Sequence, residues 1–146
     1  MASPLNVGLI GFGNIGAGVL RALERNAELI AGLVPHPIAI RRICDIDTQT
    51  RRNANYDPAI LSSDLDGLLD DPEIHVVLEL TGTIGPAQNI IARALKARKH
   101  VVTANKALMA QHGMELIQTA IENNVCILFE AAVGGGIPLI RTLHQG

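Results

Sequence analysis

Short apolar segments alternate with longer amphipathic segments along most of the chain. The apolar segments predict strands at residues 6–10, 38–44, 60–62, 76–80, 100–103 and 125–129. The amphipathic segments predict helices at residues 14–26, 86–98 and 106–123, a short helical turn around 64–70, and a last helix that starts near Pro138. Strands that alternate with helices are typical of βαβ units. We therefore expect an α/β fold, a doubly wound and mostly parallel sheet with helices on both faces.

The composition agrees with such a sheet and narrows the classes of function. The 146 residues suffice for one domain, and 48% of them are hydrophobic, although the chain has no Trp, one Tyr and two Phe. The core is therefore expected to consist of aliphatic side chains, as in parallel sheets covered on both faces. The net charge is −2 with acids and bases interspersed, which gives no indication of a nucleic-acid or anionic-membrane partner.

Targeting signals and cysteines bear on the compartment. No apolar run reaches the roughly 18 residues of a membrane span, and the N-terminus lacks a basic segment followed by an apolar one. These observations favour a cytoplasmic protein without a membrane partner. Cys44 and Cys126 fall in predicted strands without C-x-x-C spacing, so we expect buried free thiols rather than a disulfide or a metal site.

The most informative motif is G-x-G-x-x-G, which reads Gly11-Phe12-Gly13-Asn14-Ile15-Gly16 and lies between the first predicted strand and the first predicted helix. In this context Gly11 permits a tight turn, Gly13 lets a pyrophosphate approach the backbone, and Gly16 lets helix and strand pack closely. The free N–H groups and the positive dipole end of the helix attract phosphate. The motif predicts dinucleotide binding by these six residues. A purely structural glycine turn is the alternative.

Asp45 ends the second predicted strand, where a carboxylate can accept hydrogen bonds from the hydroxyls of an adenosine ribose. It lies 29 residues after Gly16, later than the usual spacing of about 20, and a proline-containing loop accounts for the excess. A carboxylate here repels a 2′-phosphate and therefore favours NAD, whereas Arg51 and Arg52 would accommodate NADP. A solvated acid in a turn is the alternative.

Two more predicted strands end in polar residues at the same edge of the sheet. After the fourth strand come Thr81 and Gly82, and Gly82 would let the backbone approach the nicotinamide half of a cofactor. An ordinary turn is the alternative there. The fifth strand ends in Thr103-Ala104-Asn105-Lys106, which starts a helix.

Lys106 asks for an explanation, because the dipole disfavours a cation at a helix N-terminus. The side chain can neutralise a substrate carboxylate or carry a proton to a carbonyl oxygen during hydride transfer. A solvated surface lysine is the alternative reading of this position.

A glycine-rich loop follows the last predicted strand, from Glu130 to Ile137, and includes three consecutive glycines at 134–136. Three glycines in a row are costly unless the backbone needs a special path. Such a loop can turn carbonyls toward a hard cation or N–H groups toward an anion, and a hinge is the alternative. The five histidines show no metal-ligand spacing and are expected to be structural or exposed: His36, His75, His100, His112 and His144.

Three segments of the chain resemble homoserine dehydrogenase: residues 7–16, 100–110 and 129–143. The first is generic to dinucleotide-binding folds, whereas the second and third are far more specific. The resemblance implies a Rossmann-like domain of an NAD(P)-dependent oxidoreductase that interconverts aspartate 4-semialdehyde and homoserine, on the route to threonine and methionine. It also implies a homo-oligomer at full length.

The resemblance assigns roles to individual residues. Lys106 is implied to lie between nicotinamide and substrate as a proton donor or acceptor, and Thr103, Ala104 and Asn105 to line the cofactor site. A monovalent cation, usually sodium, is implied to bind main-chain carbonyls in the glycine-rich loop: Glu130, Val133, Gly135 and Ile137.

The resemblance also implies a domain division, with residues 1–136 as the dinucleotide-binding domain and 137–146 as the start of a substrate and dimerisation region. We therefore expect a truncated chain that binds cofactor and does little chemistry alone. Within oxidoreductases, aspartate dehydrogenase and dihydrodipicolinate reductase are alternatives, but they explain the second and third segments less well. From another class, a regulatory domain could sense NAD(H) without catalysis, and it would need no catalytic lysine.

Overall fold

The computed structural model describes residues 3–145. Within them six strands form one parallel sheet: β1 (Leu5–Ile10), β2 (Ile38–Cys44), β3 (Leu61–Ser62), β4 (Val76–Glu79), β5 (His100–Thr103) and β6 (Ile127–Leu128). Their order across the sheet is β3-β2-β1-β4-β5-β6, and every pairing is parallel. This is the usual strand order of dinucleotide-binding doubly wound sheets. The predicted fold class is confirmed.

Helices connect the strands and supply both covering layers. They are α1 (Asn14–Arg25), α2 (Ala27–Leu33), α3 (Leu65–Leu69), α4 (Gly85–Lys96), α5 (Lys106–Glu122) and α6 (Leu139–Gln145), with 3₁₀ turns at Pro58–Ile60 and Glu130–Ala132. Among these described helices, none combines the length and the apolar character that crossing a membrane requires.

The core divides into two clusters, one on each face of the sheet, because successive strand residues point to opposite faces. Leu9 of β1 packs with Leu20 of α1 on one face. Ile10 packs on the other face with side chains of α3, α4 and α5, among them Ile91 and Leu116. As expected, aliphatic side chains dominate both clusters.

The main difference from the predicted elements is α2, which the sequence pattern did not indicate. The helix prediction for residues 14–26 holds for α1, but the chain turns at Asn26 and continues as a second helix. None of the α2 residues is buried, and Leu29 and Leu33 are 64% and 74% exposed. With Glu28 as the one charged residue among its seven, the segment lacks the contrast between an apolar and a polar face by which a surface helix is predicted.

The last predicted strand, 125–129, is reduced to the two residues of β6 at the edge of the sheet. Cys126 lies just before β6 and is exposed, so the expectation of a buried thiol was wrong at this position. Cys44 is buried as expected, and burial raises the pKa of its thiol, helped by the nearby carboxylates of Asp45 and Asp64.

Polar contacts close the amino-terminal edge of the sheet, opposite the predicted site. Arg42 donates to Asp71 over 2.8 Å and holds the pKa of this carboxyl at about 2. The buried Lys99 ammonium donates to the Asp71 and Ile74 carbonyls, and burial lowers the pKa of Lys99. These contacts tie the segments that precede β4 and β5 to each other and to β2.

Two of the histidines accept hydrogen bonds from backbone N–H groups. Nδ1 of His75 accepts the Asn6 N–H over 3.0 Å, and Nδ1 of His100 accepts the Cys126 N–H over 3.1 Å. Both side chains are exposed. The side chain of His144 lies outside the described residues.

Candidate functional site

The carboxyl ends of the parallel strands meet at one edge of the sheet, and the predicted site residues lie in the loops there. β1 pairs with β2 on one side and with β4 on the other. The strands that follow β1 along the chain are therefore added first on one side of it and then on the other. Ligands of open α/β sheets bind at this switch point. The glycine motif follows β1 directly and therefore occupies the position expected of a dinucleotide site.

Gly11 and Gly16 are needed for close approach of backbone to backbone. Gly11 has a φ of +92°, and a Cβ there would lie 2.6 Å from the carbonyl carbon of Leu80. A Cβ on Gly16 would lie 2.6 Å from the Gly11 oxygen. These two positions match the roles predicted for them, a tight turn and a close contact between helix and strand.

Gly13 differs, because the space beside it is open. A Cβ at Gly13 would meet no described atom within 4 Å. Asn14 and Ile15 are exposed next to it. Within the described chain, no side chain caps α1 and no acid occupies its first turn. The start of α1 thus borders open space, and uncapped N–H groups at a helix start suit a phosphate.

Phe12 is held from both sides of its peptide backbone. Its N–H donates to Oδ2 of Asp45 over 2.5 Å, and its carbonyl accepts a hydrogen bond from Nε of Arg52. Its ring is fully buried and stands edge-on against Tyr56, with ring centroids 4.9 Å apart. We call this arrangement of Asp45 and Arg52 around Phe12 the Phe12 clamp. It fixes the turn that carries Gly11 and Gly13.

Two carboxylates and one guanidinium lie beside the Phe12 clamp. Arg52 lies 3.9 Å from Asp45 and 3.5 Å from Asp47, and it also donates to the Thr50 carbonyl over 2.5 Å. Hydrogen bonds from the Thr50 side chain and from the backbone N–H groups of Thr50 and Gln49, together with the nearby positive charge of Arg52, lower the pKa of Asp47 to about 2. Arg51, by contrast, is exposed.

A second network joins the ends of β4 and β5. Glu79 is fully buried, and its carboxylate accepts hydrogen bonds from the Thr81 N–H over 2.8 Å, the Thr81 hydroxyl over 2.7 Å and the Thr103 hydroxyl over 2.7 Å. Gly82 follows with a φ of +71° and open space beside it. The two strand ends predicted to face a cofactor are therefore linked through one carboxylate.

Lys106 is exposed at the first position of α5. The preceding Asn105 caps the helix, since its Oδ1 accepts the Leu108 N–H over 3.1 Å. Lys106 borders a groove of about 410 Å³ whose other walls are mainly apolar, with Met109 and Phe129 among them. The groove lies between α5 and the glycine-rich loop, and Lys106 lies at its edge. We call this groove the apolar recess.

The glycine-rich loop takes a backbone path that only glycine adopts easily. Gly134, Gly135 and Gly136 have φ values of +73°, +37° and +62°. The carboxylate of Glu130 accepts the N–H groups of Ile140 and Arg141 over 3.1 and 3.0 Å, which joins the loop to α6. In the part of the chain that the structure describes, no three His, Cys, Asp or Glu side chains gather as a metal site. Carbonyl oxygens remain the donors suited to a cation here.

The main contacts of two of these residues are not evident in the sequence. Arg52 is expected there only as a partner for a 2′-phosphate, yet it donates to the Phe12 carbonyl, forty residues earlier, in the turn Gly11–Gly16 that we call the phosphate turn. Glu79 stands out in the sequence only as a single acid in the apolar segment 76–80. A lone charge inside a buried strand is the signal that points to such a network.

Comparison with known proteins identifies relatives of the whole chain. A family model described as "Homoserine dehydrogenase, NAD binding domain" matches residues 11–130. The homoserine dehydrogenase of Bacillus subtilis is 37% identical over 142 residues, which cover 97% of this chain and 33% of the relative. That of Pseudomonas aeruginosa is 40% identical over 143 residues, covering 98% and 32%. The crystal structure of a homoserine dehydrogenase from Thiobacillus denitrificans superposes with a TM-score of 0.86 at 39% identity, covering 98% of this chain and 33% of that one. The chain thus spans about a third of the length of its curated relatives.

Proposed function

This chain belongs to the homoserine dehydrogenase family and corresponds to the NAD-binding domain of that family, and we propose that it binds a nicotinamide dinucleotide for the interconversion of homoserine and aspartate 4-semialdehyde. The observation that carries the cofactor proposal is the contrast among the three motif glycines. Two of them are closed in by backbone, and only Gly13 borders open space at a helix start. That arrangement fits a pyrophosphate, which needs backbone N–H groups and room at the same place.

Calorimetric titration of the chain with NAD, NADP and ADP-ribose tests the cofactor proposal. We expect saturable binding of NAD and of ADP-ribose, since both carry the pyrophosphate that Gly13 and α1 are proposed to hold. The absence of binding by all three ligands would refute cofactor binding by this chain. Sodium sulfate at matched ionic strength controls for general anion binding.

For the choice of cofactor, we propose that NAD is preferred. Asp45 lies at the end of β2, where the ribose hydroxyls of a dinucleotide are expected, and its negative charge disfavours a 2′-phosphate. The half-buried Arg52 does not offset this effect, because it already holds the Phe12 and Thr50 carbonyls and lies against two carboxylates.

Substitution of the two arginines separates their roles. Arg52→Gln is expected to weaken NAD and NADP alike, by about tenfold, because it releases the Phe12 clamp. Arg51→Gln, the matched control at an exposed position, is expected to change NAD affinity less than twofold. Fluorescence titration with NADH and NADPH measures both variants. A loss confined to NADPH in Arg52→Gln would instead make Arg52 the group that binds a 2′-phosphate.

The proposed chemistry places one residue of this chain at the reacting atoms. A bound nicotinamide would supply the hydride that reduces the aldehyde to the alcohol, and in the reverse direction it would accept the hydride that the alcohol loses. Nζ of Lys106, exposed beside the apolar recess, is proposed to give a proton to the carbonyl oxygen or to neutralise the substrate carboxylate. The open side of Gly82 leaves room for the nicotinamide half of the cofactor near this lysine.

The proposal extends to a monovalent cation, with sodium as the candidate, held by the main-chain carbonyls of Glu130, Val133, Gly135 and Ile137. Positive φ values at three successive glycines support it, since such a path can turn several hard oxygen donors to one side. It also extends to the full-length protein as a cytoplasmic homo-oligomer with a small-molecule substrate in threonine and methionine biosynthesis.

A further inference from the structure

Among the side chains that the structure describes, Glu79 is the only charged one with no exposed surface. It lies at the end of β4, next to the switch point, and both of its oxygens accept hydrogen bonds. A buried charge is retained at a cost in desolvation unless hydrogen bonds offset it. Three donor groups from two threonines offset it here: the N–H and the hydroxyl of Thr81, and the hydroxyl of Thr103.

The third donor connects Glu79 to the loop that carries Lys106. The Thr103 hydroxyl gives its one proton to Oε2 of Glu79 over 2.7 Å, which leaves its oxygen free to accept the Asn105 N–H over 3.1 Å. Asn105 then caps α5 through Leu108. Because the Thr103 hydroxyl has a single proton to give, its hydrogen bond to position 79 requires an acceptor there.

Asn105 also ties the two loops together. Its side-chain amide donates to the carbonyl of Thr83, and the Thr83 hydroxyl lies 2.9 Å from that of Thr81. The loop after β4 and the helix start after β5 are thus joined twice, through Glu79 and through Asn105. Movement of one strand end would be transmitted to the other.

We propose that Glu79 is a positioning residue, which acts through Thr81 and Thr103 to hold Gly82 and Lys106 in the arrangement that receives the nicotinamide end of the cofactor. This inference rests on the proposed cofactor binding. It assigns the phosphate turn and the nicotinamide end to separate hydrogen-bond networks, with the Phe12 clamp serving the former and Glu79 serving the latter.

Ligands with and without nicotinamide test this division. In Glu79→Gln, one oxygen becomes a donor, so the Thr103 hydroxyl loses its acceptor or the Thr81 groups lose theirs. We expect NADH affinity to fall about tenfold and ADP-ribose affinity to change less than twofold. Thr103→Val removes the link to Asn105 while keeping Glu79, and it should reproduce the selective loss. Glu73→Gln, at an exposed acid, is the matched control.

Thermal unfolding of each variant accompanies the titrations, because a merely structural role would lower stability without separating the two ligands. Equal weakening of NADH and ADP-ribose, or no change in either for a folded variant, would overturn the positioning role. If Glu79→Gln does not fold, Thr103→Val decides the question by the same comparison. Failure of the unsubstituted chain to bind either ligand would contradict the proposed function instead.

Discussion

Replacing Gly11 with alanine should lower the free energy of unfolding by roughly 2–5 kcal/mol, the sum expected for a non-glycine residue at positive φ and for overpacking against fixed backbone. The residue has a φ of +92°, and its added Cβ would lie 2.6 Å from the Leu80 carbonyl carbon. Leu80 cannot yield easily, since its N–H donates to the Ile10 carbonyl over 2.8 Å. Urea unfolding monitored by circular dichroism measures the loss.

Gly13→Ala is the matched control within the same motif. Gly13 has an extended backbone and an open side, so stability should change by less than about 0.5 kcal/mol. NAD affinity should nevertheless fall at least about tenfold, because the methyl group occupies the space proposed for the pyrophosphate. A Gly13→Ala chain that binds NAD normally would remove the pyrophosphate from this position. A Gly11→Ala chain as stable as the original would show that the turn relaxes freely.

In an intact homoserine dehydrogenase that contains this domain, Lys106→Ala should lower kcat by about 10²–10⁴-fold, the usual contribution of a positioned proton donor. The affinity of this chain for NADH should change less than twofold, since Lys106 is exposed and follows β5, whereas the phosphate turn follows β1. Steady-state kinetics and NADH fluorescence provide the two measurements. Lys96→Ala, at an exposed lysine in the last turn of α4, is the control.

Lys106→Arg separates the two roles proposed for this side chain. Arginine keeps the positive charge but does not release a proton near neutral pH. Recovery of most of the turnover would assign Lys106 to neutralising the substrate carboxylate, whereas turnover as low as that of the alanine variant would assign it to proton transfer. Undiminished turnover in Lys106→Ala would exclude both roles.

The parts of the fold that the sequence predicted are those with a buried face. β1, β2, β4 and β5 lie in the interior of the sheet, and their apolar runs were sufficient to identify them. α2 was missed because it buries no residue. Cys126 was misplaced because β6 is an edge strand of two residues, where an apolar sequence does not ensure burial.

The candidate site likewise has a part that the sequence predicts and a part that it does not. The local part, Gly11 to Gly16, could be predicted because the spacing of three glycines within six residues, between a strand and a helix, is itself the signal. Arg52 and Glu79 could not be assigned their contacts, since hydrogen bonds from Arg52 to Phe12 and from Thr103 to Glu79 join residues 40 and 24 positions apart. Such contacts depend on the order of strands in the sheet, which no local pattern encodes.

The pairing of the strands implies that the two ends of the candidate site differ in their resistance to local unfolding. The phosphate turn follows β1, which pairs along its length with β2 and over four residues with β4, so its opening requires rupture of the centre of the sheet. The glycine-rich loop follows β6, which pairs with β5 at only two positions. Fraying of that edge would displace the loop while β1 stays paired. The chain therefore combines a turn at Gly11–Gly16 that is anchored in the centre of the sheet with a glycine-rich loop that is anchored at its edge.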